Sequence, residues 1–547
     1  MAHRTTLLPV SVSMRQLRVS VSLLVLAGPL TFAAPAAAQQ QTPTTSEGFV
    51  LNGDIPLFEN LGSYTRSVTT NSADSQAYFD QGLRLAYAFG RHEAQQSFVA
   101  AAQKDPLCAS CRWGLAWALG PYVNGAMDSG AEAIAYQQAQ EARRLGAGST
   151  DVEQALIDAL LARYAPVVDE DKRAQRDTAY MVAMRDVYRR FPEDLDVATM
   201  YAESMMVLRP WNYWTSAGNP QPGTNELLRV LEGVIDRDIR HPGACHIYIH
   251  ATEASLQPGR ATGCADVLGD AMPGASHMVH MPSHTYMRTG RYGDAVRWNQ
   301  RARLVDQEAQ RGGATAIYPD HNLHMLLVAA SYDGQSAVAI EAARDLAQLA
   351  PGSAHHVPLV LARFGRWEDI LELPTTGVSF AGAILSYARG LAQVRTNRVA
   401  DARESLVAVE GDIQVTEDFR RGQMLRLARA ILAAEIDVAG QDFDSAVRTI
   451  ELARVIETDS IGYNEPEDWI LPLRQVLGAM LLDAGRAPEA EIAYRGELEA
   501  HPENSWSLYG LHLALSAQGK TDEAAEALAR FHRAWERADV QISSSRF

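Results

Sequence analysis

The chain has 547 residues, of which 47% are apolar and 21% are charged, so it can bury a large core and exceeds the usual size of one compact domain. Its formal net charge of −17, with no cluster of Lys or Arg to offset it, argues against nucleic acid or an anionic lipid surface as a partner. We therefore expect either two domains or one long solenoid.

The first segment has the features of an export signal. Arg15 and Arg18 precede the apolar stretch VSVSLLVLAGPLTFAA, and the small residues of APAAAQ follow as a cleavage pattern. We predict a signal peptide over residues 1–38 and a periplasmic or secreted mature chain without a membrane span. A membrane anchor is the alternative, which the short apolar run and its interruption by Gly28 and Pro29 disfavour.

Residues 39–74 are predicted to be a leader and an extended segment, since their first part is rich in Gln, Thr, Ser and Gly. A repeat of about 34 residues then begins at Ser75. Its positions 4, 8, 20, 24, 27 and 32 are occupied by Tyr78, Gly82, Ala94, Phe98, Ala101 and Pro106. Near the other end, positions 7, 8, 20, 24 and 32 of a repeat from Leu471 are Leu477, Gly478, Ala490, Tyr494 and Pro502.

These positions resemble the tetratricopeptide repeat (TPR), a pair of antiparallel helices joined by a tight turn. Small residues at positions 8 and 20 let the two helices approach, while bulky residues fill the seam, and such pairs must stack to be stable. The resemblance implies an all-α fold, a solenoid of stacked helix pairs whose concave groove is lined by positions 2, 5, 9 and 12. We predict an N-terminal array over residues 75–365 and a C-terminal array over residues 366–540.

Two features of the early repeats are candidates for substrate binding. Trp113 and Trp117 take positions 5 and 9 of the second repeat, where they would offer a stacking surface in the groove. Glu203 takes position 9 of a later repeat and could add a carboxylate, although a solvated helix face explains it equally well. The four cysteines, Cys108, Cys111, Cys245 and Cys264, are interpreted as disulfides or plain thiols.

The middle repeats carry histidines at groove positions. The repeat from Cys245 has His246, His250 and Glu253 at positions 2, 6 and 9; the repeat from Ser276 has His277, His280 and His284 at positions 2, 5 and 9; and the repeat from Asp320 has His321 and His324 at positions 2 and 5. Each set occupies one narrow stripe of its helix. Neighbouring inner helices lie about 8–10 Å apart, a gap that two imidazoles can span toward a shared ion.

This pattern predicts a metal site of seven histidines and one glutamate. Imidazole is a common ligand of zinc, copper and iron, and a carboxylate among imidazoles suits iron or zinc. Seven histidines exceed the needs of one ion, so either two ions bind or some histidines surround a single ion as supporting groups or proton carriers. The alternative is a structural or peptide-contacting histidine duplicated with its repeat, as the similar words PGACH and PGASH suggest.

A second resemblance covers roughly residues 60–340. The words HPGACHIYIHATEAS, HMPSHTYMRTGRY and HNLHMLLVAAS are similar to a group of bacterial exported TPR proteins with histidine-rich middle repeats. This resemblance implies the fold and the export, but it implies no activity.

Three functional hypotheses follow. The first is an exported metalloprotein, either a copper or iron oxidoreductase or a metal-dependent hydrolase with Glu253 or Glu203 as the base, acting on a small molecule in the groove. The second is an adaptor that binds a peptide of an envelope protein in the groove, which is the ordinary use of this scaffold. The third is a metal carrier. No motif in the sequence selects a reaction class, so catalytic residues are left unassigned.

Overall fold

A computed structural model describes residues 51–128, 130–166, 169–375, 377, 379–461 and 463–547 of the protein. The predicted signal peptide over residues 1–38 lies outside these ranges. Within them the chain is built from helices with a few isolated β-bridges and no longer strand. None of the helices in the described part of the chain is long and apolar enough to cross a membrane.

Consecutive helices pack as antiparallel pairs along the chain. The first pairs are α1 (Ala73–Tyr87) with α2 (Arg91–Lys104), α3 (Ala109–Leu119) with α4 (Ala131–Leu145), α5 (Asp151–Leu161) with α6 (Arg173–Arg190), α7 (Leu195–Val207) with α8 (Thr224–Ile235), and α9 (Pro242–Thr252) with α10 (Thr262–Ala271). The middle helices are α11 (Ser276–His280), α12 (Pro282–Arg288), α13 (Tyr292–Ala309), α14 (Pro319–Asp333), α15 (Ser336–Leu349), α16 (His356–Arg363) and α17 (Trp367–Glu372). The last pairs are α18 (Phe380–Arg395) with α19 (Val399–Val415), α20 (Phe419–Ala439) with α21 (Phe443–Val455), α22 (Leu473–Asp483) with α23 (Ala487–Ala500), and α24 (Ser505–Ala517) with α25 (Thr521–Ala534).

Two glycines, of which Gly82 is at a predicted close-contact position, show how tightly the helices pack. The ring of Phe98 on α2 fills the space beside Gly82 and Gly114, where a Cβ would lie only 2.9 and 2.5 Å from the ring. The first helices of successive pairs also contact one another, as α7 does with α9 and α18 with α20. The chain therefore has the architecture of a TPR solenoid, and the prediction of an all-α solenoid is confirmed. The boundary predicted after residue 365 falls between α16 and α17.

α11 and α12 are two parts of one helix interrupted at Pro282. The amide of Met281 still donates to the carbonyl of His277 at 2.9 Å, but Pro282 has no N–H to continue the ladder. α12 then runs to Arg288. The interruption lies between His280 and His284, in the centre of the histidine-rich region.

The solenoid folds back on itself, so that distant segments meet its inner side. Tyr64, in the segment before α1, donates to Asp196 on α7 at 2.8 Å. Trp506 on α24 donates to the carbonyl of Ser331 on α14 at 3.0 Å. These contacts close the middle of the groove against helices that lie far away in the sequence.

Two disulfides hold local pairs of elements. Cys108–Cys111 lies at the start of α3, and Cys245–Cys264 joins α9 to α10. Of the two alternatives left open for the cysteines, the structure has the disulfides. The second bond ties the helix that carries His246 and His250 to its partner helix.

Candidate metal centre

Six of the predicted histidines come together inside the closed part of the groove. α9 provides His246 and His250, α11 and α12 together provide His277, His280 and His284, and α14 provides His321. The first five are at most 2% exposed, while His321 is partly buried.

The six histidines form two sets of three, each with ligand nitrogens within 4.8 Å of one another. The inner triad is His246, His250 and His277, and the outer triad is His280, His284 and His321. A further group that meets the same criterion contains His250, Glu253, His284 and Glu465, and so contacts both triads. A transition metal bound by three imidazoles needs ligand atoms at such separations.

Glu253 lies between the triads and holds one histidine of each. Its Oε1 lies 2.9 Å from Nδ1 of His250, and its Oε2 lies 2.7 Å from Nδ1 of His284. Because an ionised carboxylate only accepts hydrogen bonds, both Nδ1 atoms carry the proton. Nε2 of each ring then faces away from the carboxylate.

Two more rings are fixed in the same way. Nδ1 of His246 donates to the carbonyl of Tyr87 at 2.5 Å, and Nδ1 of His280 donates to Oδ1 of Asn299 at 2.7 Å. The amide group of Asn299 is itself oriented by its donation to the carbonyl of Ala295 at 2.8 Å. Hydrogen bonds at Nδ1 therefore set the tautomer and turn Nε2 toward the other imidazoles, and an acceptor at Nδ1 is the usual arrangement of a metal-binding histidine.

The Nε2 atoms face each other across each triad. Those of His246 and His277 are 3.1 Å apart, and those of His280 and His284 are 2.7 Å apart. Nε2 of His250 and Nδ1 of His277 are buried and have no hydrogen-bond partner among the described residues. Lone pairs that meet at these distances require a shared proton or a cation between them.

The charges of the centre are unequally distributed. Burial, reinforced by the neighbouring imidazoles, lowers the pKa of most of the histidines well below its usual value, as it does for His246, His277, His280 and His321. For His284 burial acts in the same direction, but the carboxylates of Glu465 and Glu253 prevail and raise its pKa to about 10. Burial opposes ionisation of Glu253, yet His284 and His250 hold the pKa of that carboxyl well below its usual range.

The loop between α21 and α22 supplies two groups that the sequence analysis did not predict. Tyr463 donates to Oε2 of Glu253 at 3.1 Å, and Glu465 forms an ion pair with Nδ1 of His284. Burial and the nearby Glu253 raise the pKa of Glu465 well above its usual value. The sequence contained one signal, since the connection over residues 456–472 is much longer than a TPR turn.

A small cavity of about 30 Å³ lies beside the outer triad. His284, Glu253 and Glu465 line one side of it. Its other walls are largely apolar or aromatic and include Met287, Tyr292, Met325, Tyr332 and Tyr463.

His324 does not join the centre. Its ring lies 4.3 Å from that of His356, which in turn lies 4.1 Å from the ring of His355. The three groups of potential ligands in the described part of the chain do not include it. α14 therefore directs His321 and His324 to different places.

The predicted substrate-binding residues lie on α3, which carries Trp113 and Trp117, and on α7, which carries Glu203. Trp113 and Trp117 stack at 5.8 Å and are at most 2% exposed, so neither offers an open stacking surface. Glu203 is 9% exposed, and burial raises its pKa. The alternative that Glu203 lies on a solvated helix face is therefore wrong. A role in substrate binding stays a prediction for Trp113, Trp117 and Glu203.

No family model and no curated protein matches the chain. Among solved structures, Ypp1 is similar at 9% identity over 88% of this chain and 78% of its own, with a TM-score of 0.40. Human IFIT1 with m7Gppp-AAAA is similar at 11% identity over 78% and 90%, with a TM-score of 0.29. Yeast Tom70 is similar at 12% identity over 85% and 92%, with a TM-score of 0.26. At these values the likenesses carry no inference about function.

Proposed function

We propose that the chain is a metalloprotein in which a TPR scaffold holds a transition metal inside its closed groove. The observation that supports this most directly is the orientation of the imidazoles: Nδ1 is occupied by a fixed acceptor in His246, His250, His280 and His284. The opposite nitrogens converge in two buried triads. Acceptors behind metal-binding histidines fix their tautomer and increase their basicity.

An adaptor that binds a peptide in the same groove is disfavoured by burial. A peptide needs a solvent-exposed surface, whereas five histidines of the centre are at most 2% exposed. The TPR fold by itself remains compatible with protein binding on other surfaces.

The donor set favours copper, iron or zinc, and the preponderance of imidazoles favours copper or iron chemistry. Such an ion would supply electron transfer to or from a bound small molecule. The protein's own groups exclude water around the inner triad, orient the rings through Glu253 and provide the adjoining cavity. Both oxygens of Glu253 are engaged with histidines, so Glu253 is a poor candidate for the base of a hydrolase.

We also propose that the protein acts outside the cytoplasm. The pattern of residues 1–38 supports this, and the two disulfides are suited to an oxidising compartment.

The test is elemental analysis of the full mature chain, purified from cells supplied with copper, iron and zinc and reconstituted with each metal separately. We expect a tightly bound transition metal that survives dialysis against a weak chelator. Wild-type protein that stays metal-free under every condition would overturn the proposal and leave the adaptor. Reversible transfer of the metal to a partner without turnover of any small molecule would identify a carrier.

A further inference from the structure

We propose that the centre binds two ions, one in each triad, and that only the ion of the outer triad is open to a small exogenous ligand. This inference rests on the proposed metal binding and adds the number of ions and the place where a substrate meets them.

The size of one coordination sphere limits how far apart its ligand atoms can lie. Two nitrogens on the same ion lie at most about 4.2 Å apart, twice the usual metal–nitrogen distance. Each triad satisfies a separation of this order by itself, and the two triads share no member. A further group of the described residues, His250, Glu253, His284 and Glu465, takes a single imidazole from each triad. Six imidazoles in this arrangement fit two adjacent ions.

Glu253 contacts both triads. One of its oxygens holds Nδ1 of His250, from the inner triad, and the other holds Nδ1 of His284, from the outer triad. A single carboxylate thus orients one ligand of each site and places its negative charge between two cations. Glu465, paired with His284, adds a carboxyl group on the side of the outer triad.

The two triads differ in how accessible they are. Aromatic rings enclose the inner triad: Phe89 lies against His246 at 4.2 Å, Trp211 against His250 at 4.8 Å and Tyr318 against His277 at 5.0 Å. The outer triad has His284 in the wall of the cavity of about 30 Å³. A cavity of this volume has room for a ligand of only a few atoms beside His284.

The experiment uses the full mature chain reconstituted with Cu(II), freed of excess metal and titrated with azide. Copper per chain is measured by mass spectrometry of the metal, and azide binding is measured by its charge-transfer absorption. Two matched double variants are compared, His246→Ala with His277→Ala for the inner triad, and His280→Ala with His321→Ala for the outer triad. Circular dichroism establishes that each variant is folded.

We expect two copper ions in the wild type and one in each double variant. The azide band should persist in the inner variant and be lost in the outer variant. One ion per wild-type chain would overturn this inference but leave the proposed metal binding intact, whereas a wild type without copper would overturn both. Loss of all copper from either folded variant, or azide binding to the outer variant, would also contradict it.

Discussion

Two groups of histidines lie on neighbouring helices of the groove, and they differ in what holds their rings. In the metal centre, Nδ1 of four imidazoles is bonded to a carbonyl, an amide oxygen or a carboxylate. The second group, which we call the α14–α16 group, consists of His324, His355 and His356. Each of these has one buried ring nitrogen with no hydrogen-bond partner among the described residues.

The difference shows that histidine spacing alone does not define a metal site. His321 and His324 are separated by one helical turn of α14, yet only His321 belongs to a triad. What distinguishes the centre is the set of acceptors behind the rings, above all Glu253. The α14–α16 group therefore serves as an internal control for the centre.

The largest expected effect on metal binding comes from removing histidines of the metal centre, with removal of histidines of the α14–α16 group as the comparison. Replacing His246 and His280 by Ala takes one nitrogen from each triad and should weaken metal binding by more than about 100-fold. Replacing His324 and His355 by Ala should leave the metal content unchanged. Chelator competition on both folded variants measures the metal affinity. An equal loss of affinity in the two variants would show that the metal centre and the α14–α16 group do not differ in metal binding.

The next effect tests the acceptor itself. In Glu253→Gln only one oxygen accepts, so His250 and His284 cannot both be held, and metal affinity should fall about 10- to 100-fold. Glu435→Gln is the matched control, because Glu435 is equally buried but bonds to Arg395. If Glu253→Gln bound metal like the wild type, Glu253 would have no orienting role.

A smaller effect is expected from pH acting on the α14–α16 group in the metal-free protein. Burial lowers the pKa of His324 to about 4, against about 6.5 in an unfolded chain. The unfolded state therefore binds more protons between these values, and stability falls as pH drops below about 6.5. At pH 5.5 the contribution of His324 to this loss is about 1 kcal/mol, and His324→Gln should remove that contribution.

Urea unfolding at pH 7.5 and 5.5 measures that difference. Replacement of the exposed His532 by Gln provides the control and should keep the pH dependence of the wild type. An unchanged pH dependence in His324→Gln would mean that His324 is not held in its neutral form by burial.

The smallest effect concerns the loop that reaches the centre from the C-terminal repeats. Tyr463→Phe removes one hydrogen bond to Glu253 and should weaken metal binding by less than about tenfold, since one such bond contributes about 0.5–1.5 kcal/mol. Tyr201→Phe is the control. It removes a hydrogen bond from α7 to Glu226 on α8 and should leave the metal affinity unchanged. If Tyr463→Phe lost as much metal affinity as Glu253→Gln, the hydrogen bond of Tyr463 would be as important for orienting the site as the carboxylate itself.

Local patterns predicted the fold well because TPR packing depends on local spacing. Gly82 and Phe98 are separated by a fixed number of residues, and the structure has them in contact. The same spacing placed His246, His277 and His280 on the inner side of the solenoid, where the structure brings them together. Their role as ligands stays a prediction.

The closure of the groove could not be predicted in this way. Tyr463 reaches Glu253 across 210 residues of sequence, and no local spacing encodes that contact. His324 has the same repeat position as His280, but α11 ends before Pro282 whereas α14 continues without interruption to Asp333. The same repeat position therefore has different neighbours on an interrupted helix and on a continuous one.

The contact of Trp506 with Ser331 has a consequence for how such a protein can evolve. Ordinary solenoids are modular, since each repeat touches only its neighbours, and they lengthen or shorten by whole units. Here α24 contacts α14 through Trp506 and Ser331. A helix pair inserted or deleted between these helices would move the two residues apart. Between α14 and α24 single residues can therefore be substituted, whereas a change in the number of helix pairs would break this contact.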